Sequence, residues 1–205
     1  MRKSYYKTDF VEEQDYRVQW NIYRKISKII KINRKDKILD AGCGYGELSL
    51  YLKSENLYGF DDSKKALEIA KKRPYKKLFL REIHNTKFKD KEFGISISIQ
   101  VFPYIEKQNA AFKELLRITK KQIVLSVPNF NWLKIKALFS RGFKKEYIKE
   151  LKDYSNTTNS ALLKKFAKNS DVEVKMYYFS NKFGFIRNLL GNWLASEVVG
   201  VYNIK

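Results

Sequence analysis

Apolar residues recur at Trp20, Tyr23, Ile26 and Ile30 with polar residues between them, the period of a helix with one buried stripe between about Asp9 and Ile32. Lys37-Ile38-Leu39-Asp40 is a short apolar run that ends at glycines, and Glu47 to Leu52 reads as the helix after that turn. Leu57 to Asp61 forms a second strand pattern. Ser63 is placed to cap a helix from about Lys64 to Arg73, where Pro74 stops it. Lys77 to Arg81 makes a third strand, and Gly94 to Ile99 alternates with the period of a fourth. Phe112, Leu115, Leu116 and Ile118 return to helical spacing. Gln122 to Val127 is a β-branched run closed by Pro128, the fifth strand. After Asn129 a basic, aromatic stretch runs to about Asp153. A helix from about Thr158 to Lys168 and two strands, near Val172 to Phe179 and Glu197 to Ile204, complete the pattern. Strands that alternate with helices predict a parallel, doubly wound α/β sheet.

With 205 residues, 44% of them hydrophobic, the chain is long enough to bury one core, so one domain without a linker is expected. No apolar run reaches the length of a membrane span, and the first residues lack the apolar stretch of a signal peptide, so a cytosolic protein is expected. The single cysteine, Cys43, has no disulfide partner. The single histidine, His84, has no zinc-ligand set at the usual spacing, so no structural metal is expected. The net charge is +20, from 42 Lys and Arg against 22 Asp and Glu. The cations are dispersed, from Arg24-Lys25 to Lys164-Lys165, which first suggests a solvated surface and second a face for a polyanion.

Candidate chemistry concentrates in Asp40-Ala41-Gly42-Cys43-Gly44-Tyr45-Gly46, where three of the chain's nine glycines fall within five residues between a strand and a helix pattern. Glycine lets the backbone turn left-handed and approach a ligand closely, and unpaired N–H groups beyond such a turn suit a nucleotide-like ligand. Glu47 stands where a dinucleotide fingerprint has its third glycine, and no Lys-Ser/Thr follows Gly46 as a phosphate loop requires. Asp40 at the strand end would repel a pyrophosphate and suits a ligand carrying ammonium and sulfonium charge.

The segment Asp40 to Gly46 resembles motif I of the class I, Rossmann-like methyltransferases that use S-adenosylmethionine (SAM) and release S-adenosylhomocysteine. Gly59-Phe60-Asp61-Asp62-Ser63 resembles that family's second-strand end, which implies that Asp61, nineteen residues after Gly42, holds the ribose hydroxyls. Arg81 to Phe88 resembles a further motif, which places Glu82 on the adenine amino group and Ile83 beside the ring. Phe93 to Ile105 resembles the family's fourth strand and the segment just after it, with Gly94 in place of the usual Asp, Gln100 where a polar cofactor contact lies, and Tyr104 in place of a frequent His. Val124 to Asn129 resembles the Val-Pro-Asn turn of the branch that methylates quinone precursors and other small molecules. The resemblance implies a sheet of about seven strands, mostly parallel with an antiparallel last strand, and helices on both faces. It also implies a helical lid at 1–36, a SAM-binding core at 37–129, a substrate-lid insertion at 130–157 and a C-terminal helix and strands at 158–205.

The cofactor set expected from this reading is Asp40, Gly42, Cys43, Gly44, Gly46, Asp61, Asp62, Glu82, Ile83 and Gln100. Plainer roles exist for several: Asp40 as a cap, Asp61 and Asp62 as turn carboxylates, Cys43 as a packed residue rather than a nucleophile. No general base is assigned, with Tyr104 and His84 the nearest candidates, which favours an acceptor already nucleophilic at neutral pH. The aromatics Tyr5, Tyr6, Phe10, Tyr16 and Trp20 suit either a lid or core packing. Phe130, Trp132, Phe139, Phe143 and Tyr147, interleaved with basic residues, suit a substrate lid first, then a membrane-surface helix or an RNA-facing arm. Three functions are compatible with these features: methyl transfer to a small-molecule or lipid-type acceptor, methyl transfer to RNA or protein, and a non-catalytic SAM- or nucleic-acid-binding module.

Overall fold

A computed structural model of the chain describes residues 16–129, 160–170, 172–179 and 195–205, with the backbone alone for residues 16–21. Seven strands form one sheet: β1 (Ile38–Ala41), β2 (Leu57–Asp61), β3 (Lys77–Leu80), β4 (Phe93–Ile99), β5 (Thr119–Pro128), β6 (Val172–Phe179) and β7 (Glu197–Ile204). Their order is β3-β2-β1-β4-β5-β7-β6. Strands β1 to β5 run parallel, β7 pairs antiparallel with β5, and β6 pairs antiparallel with β7. The chain winds outward from β1 through β2 to β3, then restarts at β4 on β1's other side. The reversal between β1 and β4 opens a crevice at the carboxyl ends of these strands.

Among the described residues four helices cover the sheet: α1 (Tyr16–Ile29), α2 (Lys64–Ala70), α3 (Gln108–Ile118) and α4 (Ser160–Lys168). Alternation along the strands divides the core in two. Leu39, Phe60, Ile123, Leu125 and Tyr202 face α3 and α4, where Phe112, Leu115, Leu163 and Phe166 meet them. Ile38, Ile95, Ile97, Val124 and Val199 face α1, whose Ile22 and Ile26, with Ile30 just beyond it, form a buried stripe. Strand β4 is buried along its whole length, as a central strand covered on both faces must be. Ser63 caps α2 as expected, its hydroxyl accepting the Ala66 N–H at 3.2 Å. Among the described residues no helix is long and apolar enough to cross a membrane. The lid and arm residues at 1–15 and 130–159 lie outside the described residues, as do the side chains of Tyr16 and Trp20.

One expected helix is absent. Glu47–Leu50 forms a single 3-10 turn, not a helix to Leu52. Gly46 enters it left-handed, and its carbonyl accepts both the Ser49 N–H at 3.2 Å and the Ser49 hydroxyl at 2.7 Å. A four-residue strand is only about 13 Å long, so one short turn and the polar segment Lys53 to Asn56 suffice to bring the chain back to β2. Strand β5 also begins earlier than the β-branched run suggests, at Thr119, whose hydroxyl bonds back to the Leu115 carbonyl at 2.6 Å and closes α3 directly into the strand.

The connection from β3 to β4 holds no helix. Phe88 packs edge-on against Phe79 and Phe93, with ring centroids 5.1 and 4.8 Å apart, and fills that face of the sheet. The segment is fastened to α3 at Glu114, whose carboxylate accepts the Thr86 N–H at 2.9 Å and the Thr86 hydroxyl at 2.6 Å. Arg117 binds the same carboxylate and reaches the Phe88 carbonyl at 2.9 Å. The Arg117 hydrogen bonds, with those from Thr86, hold the Glu114 carboxyl down at about 2. Because its folded pKa lies below the ordinary value, its contribution is complete above about pH 4.5 and is lost as pH falls toward 2. Glu114→Gln is expected to lower unfolding free energy by about 2 kcal/mol at pH 7 in urea melts. The deficit should close as the wild type is acidified; a deficit unchanged between pH 7 and pH 3 would refute this account.

Candidate active site

The turn after β1 is shaped by three glycines with positive φ: Gly42 at 76°, Gly44 at 53° and Gly46 at 87°. Gly42 and Cys43 both donate their N–H groups to the Phe60 carbonyl at 2.9 Å, which folds the turn over the end of β2. A side chain on Gly42 would lie 2.6 Å from the Val101 Cγ2 atom, so the valine after β4 requires glycine there. Asp61, at the end of β2, locks the arrangement. One carboxylate oxygen accepts the Gly44 N–H at 2.9 Å and the other accepts the Ser63 N–H at 2.9 Å.

Asp40 is buried beneath this turn, and the Tyr75 hydroxyl donates to its carboxylate at 2.6 Å. Burial pushes the Asp40 carboxyl up to about 7; the Tyr75 hydrogen bond opposes this, and the charges of Glu47 and Asp61 add to it. Burial raises Glu47 as well. The Cys43 thiol is buried and pushed well up by desolvation and by Asp40 and Asp61, so it is a packed residue rather than a nucleophile.

The structure therefore brings together Asp40, Gly42, Cys43, Gly44, Gly46 and Asp61. The turn from Glu82 to Asn85 comes directly after β3, and the Arg81 N–H donates to the Asp61 carbonyl at 3.0 Å, so Glu82, Ile83 and His84 begin beside Asp61. Ile83 is buried and Glu82 exposed. His84 holds its Nε2 atom buried with no hydrogen-bond partner among the described residues. Asp62 is exposed at the rim. Gln100 comes just after β4 with a φ of 60°, and its side chain does not turn toward the glycine turn: its amide donates to Glu197, two strands away at the start of β7. Tyr104 closes the short 3-10 turn Phe102–Tyr104 beyond β4 and is 40% exposed.

Sequence reasoning missed Tyr75, Glu47, Val101 and Glu197. The first sits next to the helix-stopping Pro74, and the second stands directly after Gly46; neither position announces its long-range contacts. Glu197 lies 97 residues from its partner Gln100.

The donor set fits an adenosyl sulfonium. Three acidic side chains, Asp40, Glu47 and Asp61, are buried around the turn in a chain whose net charge is +20. One Asp61 oxygen accepts the Gly44 N–H and the other the Ser63 N–H, and a carboxylate, which only accepts, is the group that a diol's two donors call for.

Residues 39–126 match the family described as "Methyltransferase domain". No curated protein matches the chain by sequence. A SAM-dependent methyltransferase from Thermotoga maritima, described as a possible histamine N-methyltransferase, superposes with a TM-score of 0.71 at 18% identity, over 93% of this chain and 91% of its own. The plantazolicin methyltransferase BpumL, solved with S-adenosylhomocysteine, gives 0.66 at 18% identity, over 94% and 86%. PH0226 from Pyrococcus horikoshii OT3 gives 0.67 at 20% identity, over 97% and 94%. The fold is thus the Rossmann-like methyltransferase fold, a seven-stranded sheet with β1 to β5 parallel and β7 reversed. Within it, residues 39–126 match a methyltransferase domain.

Proposed function

We propose that the crevice above β1 and β4 binds SAM and passes its methyl group to a small-molecule acceptor. In this reading the Asp61 carboxylate takes the ribose hydroxyls, Glu82 and Ile83 the adenine, Asp40 the ammonium, and the backbone of Gly42 to Gly46 lies along the ligand. The observation that carries it is the double attachment of Asp61 to Gly44 and Ser63, which ties the glycine turn, the end of β2 and the α2 cap to one carboxylate. When bound, the cofactor supplies a methyl carbon already activated by its sulfonium. The chain's task is then to hold the acceptor in line and keep water out. Segment 130–157 serves as a lid, whereas within 1–36 helix α1 packs on the sheet as core. Tyr104 and His84 stand at the carboxyl ends of β4 and β3, and no base is assigned to either. The Val127-Pro128-Asn129 sequence that ends β5, with Asn129 buried, supports the branch that acts on quinone precursors and other small molecules.

A second reading, an RNA or protein acceptor, draws on cations gathered on the β1–β3 face. Lys37 and Lys76 lie 4.7 and 5.7 Å from the Tyr58 ring, and Lys77 and Arg81 lie 5.1 and 4.8 Å from the Phe79 ring. Calorimetry with SAM, followed by transfer of labelled methyl to amine, phenol and carboxylate acceptors with and without RNA, tests both. The expected result is cofactor binding and transfer to a small acceptor, indifferent to RNA. Transfer only to RNA, with strong salt dependence, would replace the first reading by the second, and a wild type that does not bind SAM would refute both.

A further inference from the structure

Tyr75 lies after α2, at the amino end of β3, yet its side chain reaches beneath the cofactor turn at the opposite end of the sheet. A Cβ on Gly46 would lie 2.9 Å from the Tyr75 Cε2 atom, and one on Gly59 would lie 3.0 Å from its Cε1 atom. The ring therefore fills the space between sheet and turn that the single 3-10 turn, unlike a full helix, leaves to be filled. The hydroxyl ends on the Asp40 carboxylate at 2.6 Å.

We propose that Tyr75 is a positioning residue for cofactor binding: its ring props the glycine turn from below, and its hydroxyl holds the Asp40 carboxylate oriented for the ligand's ammonium. The inference rests on the reading that the crevice takes SAM. The groups that act on Asp40 are Tyr75 from the loop before β3, Glu47 from the 3-10 turn and Asp61 from β2, while Cys43 in the turn feels Asp40 in return. Arg73 acts on Glu47, and Tyr23 of α1 acts on Tyr75. Of Asp40's neighbours, Tyr75 opposes protonation and the two acids favour it. Removing the hydroxyl therefore leaves Asp40 neutral over a wider pH range.

The sign follows for stability also. Asp40 has a folded pKa above its ordinary value, so the stability it contributes is complete below about pH 4 and falls as pH rises toward 7. A bound cation offsets that loss. SAM affinity should accordingly rise with pH through about 7 in the wild type.

The test measures SAM affinity by calorimetry between pH 6 and 8.5 for the wild type, Tyr75→Phe and Asp40→Asn, with thermal melts of each cofactor-free protein over the same range. For Tyr75→Phe the rise should move up by about one pH unit, with affinity reduced about tenfold at pH 6, about fivefold at pH 7 and hardly at pH 8.5. Asp40→Asn should flatten the profile. In the melts, the pH-dependent loss of stability should extend to higher pH in Tyr75→Phe and disappear in Asp40→Asn. A Tyr75→Phe profile that coincides with the wild type, or that is lowered equally at every pH, overturns the proposal, because the phenylalanine keeps the ring's packing. Absence of SAM binding in the wild type would refute the cofactor reading itself, while the melts still report whether the hydroxyl holds Asp40.

Discussion

Asp61→Ala is expected to weaken SAM binding by a factor on the order of 100 and to destabilise the fold by about 3 kcal/mol. Two backbone N–H groups, of Gly44 and Ser63, end on this carboxylate at 2.9 Å, and hydrogen bonds to a charged acceptor are each worth about 1.5–3 kcal/mol. Water restores part of that sum at the crevice, hence the smaller figure. The binding loss has two sources: the diol loses its acceptor, and the turn loses the anchor that fixes its shape before the ligand arrives. Asp61→Asn separates them. Its one acceptor oxygen keeps either Gly44 or Ser63, and its amide presents N–H against the other. An intermediate melt with a binding loss close to that of alanine is expected. Alanine and wild-type affinities that agree within twofold would remove Asp61 from the site.

The second large effect belongs to Gly42→Ala. A φ of 76° costs a residue with a side chain about 1 kcal/mol, and the new methyl would meet Val101 at 2.6 and 2.9 Å, closer than carbon atoms approach. Together these predict a loss of about 3 kcal/mol in urea melts and of cofactor affinity, since Val101 and the turn must part. The steric share is recoverable. In the Gly42→Ala, Val101→Ala double variant the two changes should couple by about 1–2 kcal/mol, whereas the backbone share stays. Strictly additive melts would show that Val101 does not confine the turn.

Much of the strand plan is written locally. β6 and β7 follow apolar, β-branched runs whose limits are visible in the chain, and Ser63 announces α2 because a hydroxyl ahead of a helical stretch has a local partner, the Ala66 N–H. The same holds for Gly42, Gly44 and Gly46, whose crowding has no cause except a sharp turn. The 3-10 turn was not legible, because Leu48, Leu50, Tyr51 and Leu52 carry the apolar content of a helix while the distance back to β2 sets its length. Nor was the start of β5 at Thr119, where helix and strand join without a glycine or proline between them. Asp40 could be read as chemically important, but not as buried on a tyrosine 35 residues away. Gln100 marks the end of β4 correctly, yet its amide is drawn to Glu197 by an encounter that only the sheet order creates.

The brevity of the Glu47–Leu50 turn has an electrostatic consequence. A long helix pointed at a crevice stacks its peptide dipoles and makes the mouth positive; four residues align too few to do so. The ionisable groups buried around the glycine turn are Asp40, Glu47 and Asp61, with Arg73 acting on Glu47 from just after α2. The molecule therefore carries opposite signs at two scales: a net charge of +20 over the whole chain, and three buried acids around the glycine turn. A nucleotide ending in phosphate would meet repulsion there from whichever of these acids are ionised.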